Sequence, residues 1–182
     1  MRTRKLFILA AGILLLASSL TVQSATIRMA GCSWVTYSQV TASNMVVDST
    51  STLGGTGTIH AATVVQGDLA PGYGTNVGVL AFTDDLVFNG GTLGCYAAAT
   101  NALSRISVSG DVTGTGTVVM TRATGVEPVE QVVIAGAASS VYSELVPSPV
   151  TEWYLGESGT LDLWVTAISD PAQPQGTVFK FR

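Results

Sequence analysis

Charge is scarce in this chain of 182 residues: Asp, Glu, Lys and Arg together make up 11%. Histidine is scarcer still, a single His60, and the two cysteines, Cys32 and Cys95, stand 63 positions apart. Zinc centres need clustered His, Cys or carboxylate ligands, so no metal site is expected. His60 has no Ser or Asp partner motif and no Gly-x-Ser-x-Gly elbow is present, so no catalytic residue is assigned. Gly54-Gly55-Thr56-Gly57 is followed by neither Gly-Lys-Ser nor Gly-Lys-Thr, which removes a phosphate loop; no cofactor is expected. Between Arg28 and Lys180 the only basic residues are Arg105 and Arg122. A chain with no basic patch has nothing to neutralise phosphates, so nucleic acid is excluded as a partner. Those two arginines are expected in surface ion pairs with Asp111 or Glu127, not in a polysaccharide-cleaving site, which needs carboxylates and basic groups together on one face. Asp84-Asp85 is read as a solvated turn in preference to a calcium site.

Long apolar runs are missing too, except at the start. Met1-Arg2-Thr3-Arg4-Lys5 precedes an apolar stretch from Leu6 to about Leu20, the layout of a secretory signal peptide. The stretch is short of the ~20 apolar residues that a spanning helix needs. Val22-Gln23-Ser24 offers a cleavage site, so residues 1–24 are expected to leave as a signal peptide, with Ala25 an alternative last residue. The remaining chain has five Lys and Arg against twelve Asp and Glu, and no stable transmembrane segment is expected after processing. In an oxidising compartment the default for Cys32 and Cys95 is a disulfide.

What the chain does have is Gly, Thr, Ser, Ala and Val. No stretch after residue 24 carries a clear 3.6-residue apolar period; Ala97 to Leu103 is at most one loose turn. Short β-branched runs recur instead, among them Trp34 to Tyr37, Thr58 to His60, Val79 to Phe82, Arg105 to Val108 and Gln131 to Ala135. Turn residues separate many of them. Leu80, Phe82, Leu86 and Phe88 are apolar at even positions, and Ile106 and Val108 alternate with Arg105 and Ser107, the side-chain period of a strand with one face inside. Leu53-Gly54-Gly55-Thr56-Gly57-Thr58-Ile59 returns as Val112-Thr113-Gly114-Thr115-Gly116-Thr117-Val118, 59 positions later. Repetition of a turn handing over to a strand suggests the coils of a solenoid.

One stretch resembles a known family. Gly54-Gly55-Thr56-Gly57-Thr58-Ile59, Leu69-Ala70-Pro71-Gly72, Gly78-Val79-Leu80-Ala81-Phe82 and Leu86-Val87-Phe88-Asn89-Gly90-Gly91-Thr92-Leu93 are similar in order and spacing to the autotransporter-associated β-strand repeat, also called the passenger-associated transport repeat. The C-terminal third, with Gln131-Val132-Val133-Ile134, Trp153-Tyr154-Leu155 and Leu161-Asp162-Leu163-Trp164, looks like the tail of secreted proteins built on that repeat. The resemblance implies an all-β, short right-handed parallel β-helix (a solenoid) on an exported surface protein. It assigns structural turns to Gly54, Gly55, Gly57, Pro71, Gly72, Gly90 and Gly91, and no catalytic residue. Asp84-Asp85 departs from the family's usual Gly-Asp, and no C-terminal translocator barrel follows Thr166, which would need many strands of about ten residues.

These expectations divide the chain into a signal peptide (1–24), a β-solenoid domain (25–168) with a repeat-like core (53–93) and a C-terminal cap (130–168), and a linker with a terminal strand (169–182). Strand spacing alone permits either parallel or antiparallel order in the C-terminal third. In the terminal strand, Val178, Phe179 and Phe181 alternate and suit self-association by strand addition. The function expected is that of an exported, non-catalytic structural or adhesive cell-surface protein, secreted or surface-held, whose partners are copies of itself or surface and matrix glycans. A carbohydrate-binding module is the alternative, with Trp34, Tyr37, Tyr73 and Tyr96 among the aromatics able to stack on sugars; a polysaccharide-active enzyme stands behind it.

Overall fold

The computed structural model describes the backbone of residues 4–9, 13–16, 20–21, 25–126, 131–136, 145–148, 153–157 and 163–167, and the side-chain surroundings of 25–126 and 133–136. The described residues form strands and turns with no helix. In chain order the strands are β1 (Arg4–Leu9), β2 (Ile13–Leu16), β3 (Leu20–Thr21), β4 (Ala25–Ala30), β5 (Ser33–Thr36) and β6 (Gln39–Val47). There follow β7 (Thr52–Gly55), β8 (Thr58–Val65), β9 (Asp68–Pro71), β10 (Val79–Phe82), β11 (Leu86–Ala99) and β12 (Ala102–Leu103). The last are β13 (Arg105–Val108), β14 (Val112–Arg122), β15 (Gln131–Ala135), β16 (Leu145–Ser148), β17 (Trp153–Glu157) and β18 (Leu163–Ala167).

The fold is all-β and its sheet is mostly parallel. The chain visits three parallel ladders in rotation. Ladder A stacks β1, β4, the end of β6, the end of β8, and the starts of β11 and β14. Ladder B stacks β2, β5, β7, β9, the later parts of β11 and β14, and β16. Ladder C stacks β3, the starts of β6 and β8, then β10, β13 and β15. Antiparallel pairs occur at the hairpin of β11 with β12 and in the C-terminal third, where β18 lies against both β15 and β17.

Alternation along each strand sends every second side chain inward, and the ladders line these up in columns. On ladder A, Ile27, Met45, Thr63, Leu86 and Val112 are register partners in succession and all are buried. Ladder B contributes Trp34, Leu53, Leu69, Leu93 and Val118, and ladder C contributes Val40, Ile59, Phe82 and Val108. Full burial of such a side chain is worth about 1.5–3 kcal/mol, so the columns form a continuous core. Thr63 is tolerated inside because its hydroxyl donates to the Ala61 carbonyl at 2.9 Å. The even-numbered phase of Leu80, Phe82, Leu86 and Phe88 points inward throughout, even though the chain crosses from ladder C to ladder A between Phe82 and Leu86.

The repeat at an offset of 59 has a local origin. Leu53 sits on ladder B and Val112 on ladder A, so the two blocks occupy different corners. What they share is a glycine of positive φ, Gly55 at 103° and Gly114 at 90°. A Cβ would run into the Thr36 carbonyl oxygen at the first and the Phe88 carbonyl oxygen at the second. Both glycines let the chain bend directly against the backbone of the neighbouring strand in the ladder, and the shared motif is corner chemistry.

Candidate functional site

The three edges between ladders differ in length. From A to B the chain turns in Gly31–Cys32, in 48–51 and in Gln66–Gly67, and at the later levels β11 and β14 pass through without a break. From C to A, β6 and β8 also run on, and later levels need only 83–85 and 109–111. From B to C the connections among the described residues are 37–38, 56–57, 72–78 and the hairpin of β11 and β12. On ladder B, Ser33, Thr52, Asp68, Thr92, Thr117 and Val146 are successive partners. The intervals grow from 16–19 residues to 24–25 by Thr117, and most of that growth is housed at the B-to-C edge. Insertions in stacked repeats collect on one side in this way, often a binding side.

Among the described residues the large hydrophobics left exposed are Tyr37 (51%), Val77 (37%) and Val79 (36%). All three lie at that same edge. Tyr73, at a φ of 62°, shapes the loop 72–78 and lays its ring over Gly54, where a side chain would collide with it. The loops are tied to one another: the Ser104 hydroxyl donates to the Asn76 carbonyl at 3.3 Å and the Arg105 amide to the Gly78 carbonyl at 3.0 Å. The reading of Ala97 to Leu103 as a loose turn is replaced by a tight hairpin, since Ala97 pairs with Leu103 and Ala99 with Ala102.

The faces beside this edge carry hydroxyls. Outward on ladder B, Ser33, Thr52, Asp68, Thr92 and Thr117 form one column, about 19 Å long at the usual strand spacing. Outward on ladder C, Gln39, Thr58, Ala81 and Ser107 are in line, with Thr41 beside His60. His60 is half-buried and its Nδ1 lies 3.1 Å from the Thr83 hydroxyl. Ladder A is different outside: Arg28, Val46, Val64, Val87 and Thr113 are in line there.

The expected disulfide is not formed: Cys32 and Cys95 are free and buried. Cys32 lies at the A-to-B turn beside Ser51, whose hydroxyl accepts its amide proton at 3.3 Å, whereas Cys95 pairs in register with Met120. Three steps of ladder B separate their levels, from Trp34 through Leu53 and Leu69 to Leu93. That is about 14 Å, twice the reach of a disulfide. Burial pushes the Cys95 thiol far above the ordinary range, leaving a packing group with no reactive thiolate at neutral pH.

Of the turn residues named from the sequence, Gly54, Gly55 and Pro71 belong to strands, and Gly57 packs against Ser38 and Thr36. Gly72 and Gly90 both have φ of 80°, and Gly91 sits on Val65 where the register of β11 shifts. Trp34 is 1% exposed and cannot stack on a ligand. The Asp85 carboxylate accepts from the Asp111 amide at 2.9 Å and the Asp84 carboxylate from the Thr83 hydroxyl at 3.1 Å. Among the described residues no group of three or more His, Cys, Asp or Glu could hold a metal ion, and no helix is long and apolar enough to cross a membrane. Glu127 and the terminal strand with Val178, Phe179 and Phe181 lie outside the described residues.

The missed signal was the B-to-C edge. It was present in the sequence as widening intervals between glycine-marked corners, but unequal intervals hide which residues stack. No protein-family model and no curated protein matches the chain.

Proposed function

We propose that this chain is an exported, non-catalytic structural or adhesive protein of a bacterial cell surface, its strands coiled as a short right-handed parallel β-helix. The apolar start with its basic residues supports export, and the order of motifs from Gly54 to Leu93 supports a relation to the autotransporter-associated β-strand repeat. Rotation of the chain through three parallel ladders supports the coiled architecture. The observation that carries the adhesive reading is the gathering of the longer loops with Tyr37, Val77 and Val79 on one edge, beside the hydroxyl column of ladder B. Rigid stacked strands would hold such an edge still while the loops make contact.

The test is attachment of producing cells to surfaces and matrix, comparing the native chain with a Tyr37→Ala, Val77→Ser double variant. Both side chains are outside the core, so the fold should survive by circular dichroism while attachment falls severalfold. Unchanged attachment, in the variant or in a deletion strain, would argue against adhesion. The carbohydrate-binding alternative keeps Tyr37 and Tyr73 as stacking groups at this edge; glycan-array binding lost on Tyr37→Ala would select it.

A further inference from the structure

We propose that the N-terminal end of the sheet, bared when residues 1–24 are removed, is an interface at which two copies of the chain meet end to end as a closed dimer. This rests on the export reading above. β1 lies in register on β4, Arg4 beside Ala25 through Leu9 beside Ala30; β2 lies on β5, Ile13 beside Ser33 through Leu16 beside Thr36; β3 lies on β6 at Val40 and Thr41. The segment with the composition of a leader is therefore a whole extra level over the first level of the remaining chain. Its removal leaves three strands unpaired on one side and uncovers Ile27, Met29, Trp34 and Val40.

Apart from the register shift of β6 between Thr41 and Asn44, little in that level protects it once open. Sheet edges are ordinarily guarded by lysine, proline, bulges or covering segments. Residues 25–47 contain no proline and no lysine, and a single charge, Arg28, whose guanidinium is already bound to Asp48 at 2.7 Å. Trp34 adds an independent sign. Under the leader its indole Nε1–H is buried without an acceptor, although a buried tryptophan N–H normally finds one. Its register partner in the covering level is Leu14. Taking that level away gives the indole access to water or to acceptors of a partner.

The occupant follows from the other end of the sheet. There β18 lies antiparallel on β15, and β17 antiparallel on β18. Among the described residues ladder C thus finishes in antiparallel strands and offers a further copy no parallel continuation, which stands against a head-to-tail fibre. Two N-terminal ends can meet. Their strands circulate in opposite senses about a shared axis, so they pair antiparallel, and the same patch serves both copies, which closes the assembly at two.

The full chain, exported and processed by a bacterial host, is purified and measured by intact mass and by light scattering. The expected result is a chain beginning at Ala25 or Thr26 with twice the monomer mass. Thr26→Asp and, separately, Thr41→Asp place a charge on outward, half-buried positions of the bared level and leave the inner columns intact. Each should raise the dimer dissociation constant severalfold, because a carboxylate is then desolvated in the join with no opposite charge beside it. Processed chain that is monomeric overturns the interface and leaves the export reading standing. Chain that keeps its leader overturns the export reading and the interface with it. Assemblies larger than two, or a dimer indifferent to both substitutions, overturn the end-to-end geometry.

Discussion

Along the A-to-B edge the chain turns in at most four residues at every described level, whereas along the B-to-C edge the connection grows from two residues at Tyr37–Ser38 to seven at 72–78. Both edges border the same columns, so the core does not account for the difference. Beyond its first turn, where Gly31 is as open as any residue of the long edge, the short edge is held by close backbone approaches. A Cβ at Gly67 would collide with the carbonyl oxygens of Asp48 and Ser51, and the Ser51 amide is bonded to Asp48 at 2.9 Å. At the long edge Gly74, with a φ of 67°, has no atom within 4 Å of where a Cβ would be. Extra residues can leave the stack only where nothing already fills the space outside it, and stacking then tolerates them without loss of register.

The largest effect should come from moving an insertion between the edges. Three Gly-Ser residues placed between Gln66 and Gly67 would push Asp68 and Leu69 out of register with Thr52 and Leu53 and should abolish cooperative unfolding. The same three residues between Thr75 and Asn76 lengthen a loop that already projects. Loop-closure entropy puts that cost below about 1 kcal/mol. Equal losses from both insertions, measured by urea denaturation, would mean the edges are not different in kind.

Next in size is a contrast of side chains. Phe88 is 1% exposed, lies inward on ladder A, and is the partner of Val65 and of Gly114. Phe88→Ala should cost about 3–5 kcal/mol, while Tyr37→Ala at the long edge should stay within about 0.5 kcal/mol. This inward set was legible beforehand. Alternation at Leu80, Phe82, Leu86 and Phe88, and at Ile106 and Val108, needs only the period of a strand. The stacking of one level on the next was not legible, because Ser33 is 19 residues from its partner but Asp68 is 24 from its own. Gly54, Gly55 and Pro71, expected at turns, stand at the ends of β7 and β9, and the corners follow directly. The disulfide failed for the same reason: two cysteines in an oxidising compartment suggest a bridge, but only the count of levels between them reveals the ~14 Å that prevents it.

Glycine divides the long edge itself at finer scale, since Gly55 at the end of β7 and Gly74 in the loop 72–78 both border it, one packed and one open. Gly55→Ala and Gly74→Ala both force a side chain into positive φ, a cost of about 1–2 kcal/mol on backbone grounds alone. At Gly55 the new methyl also meets the Thr36 backbone, so the level must shift and stability should fall well beyond that range. At Gly74 only the conformational cost should appear. Thermal unfolding of the two variants separates the terms; identical losses would assign the demand at Gly55 to φ alone.

The smallest expected effect concerns what ties the short edge to its surroundings. Asp48, in the turn between β6 and β7, accepts from the Arg28 guanidinium at 2.7 Å and from the Thr50 amide and the Ser49 and Thr50 hydroxyls at 3.4 Å. The Arg28 hydrogen bond is the main cause holding its carboxyl below the ordinary aspartate value; desolvation comes next and opposes it, and the Thr50 amide, the Arg28 charge and the Ser49 hydroxyl add to the lowering. A carboxyl with a depressed folded pKa binds its proton more weakly than in the unfolded chain. Its contribution is therefore complete above the ordinary aspartate range and disappears as pH falls through the lower folded value. The pair is solvent-exposed, with side chains 47% and 22% accessible, so salt should weaken it. Asp48→Asn should lower the urea midpoint slightly at pH 7 in low salt and leave it unchanged at a pH where both forms are neutral. The B-to-C loops contribute nothing to that pH-dependent difference, so a double variant carrying Asp48→Asn with the Thr75–Asn76 insertion should lose the sum of the two single effects. A loss that departs from the sum would mean that the two edges communicate through the columns between them.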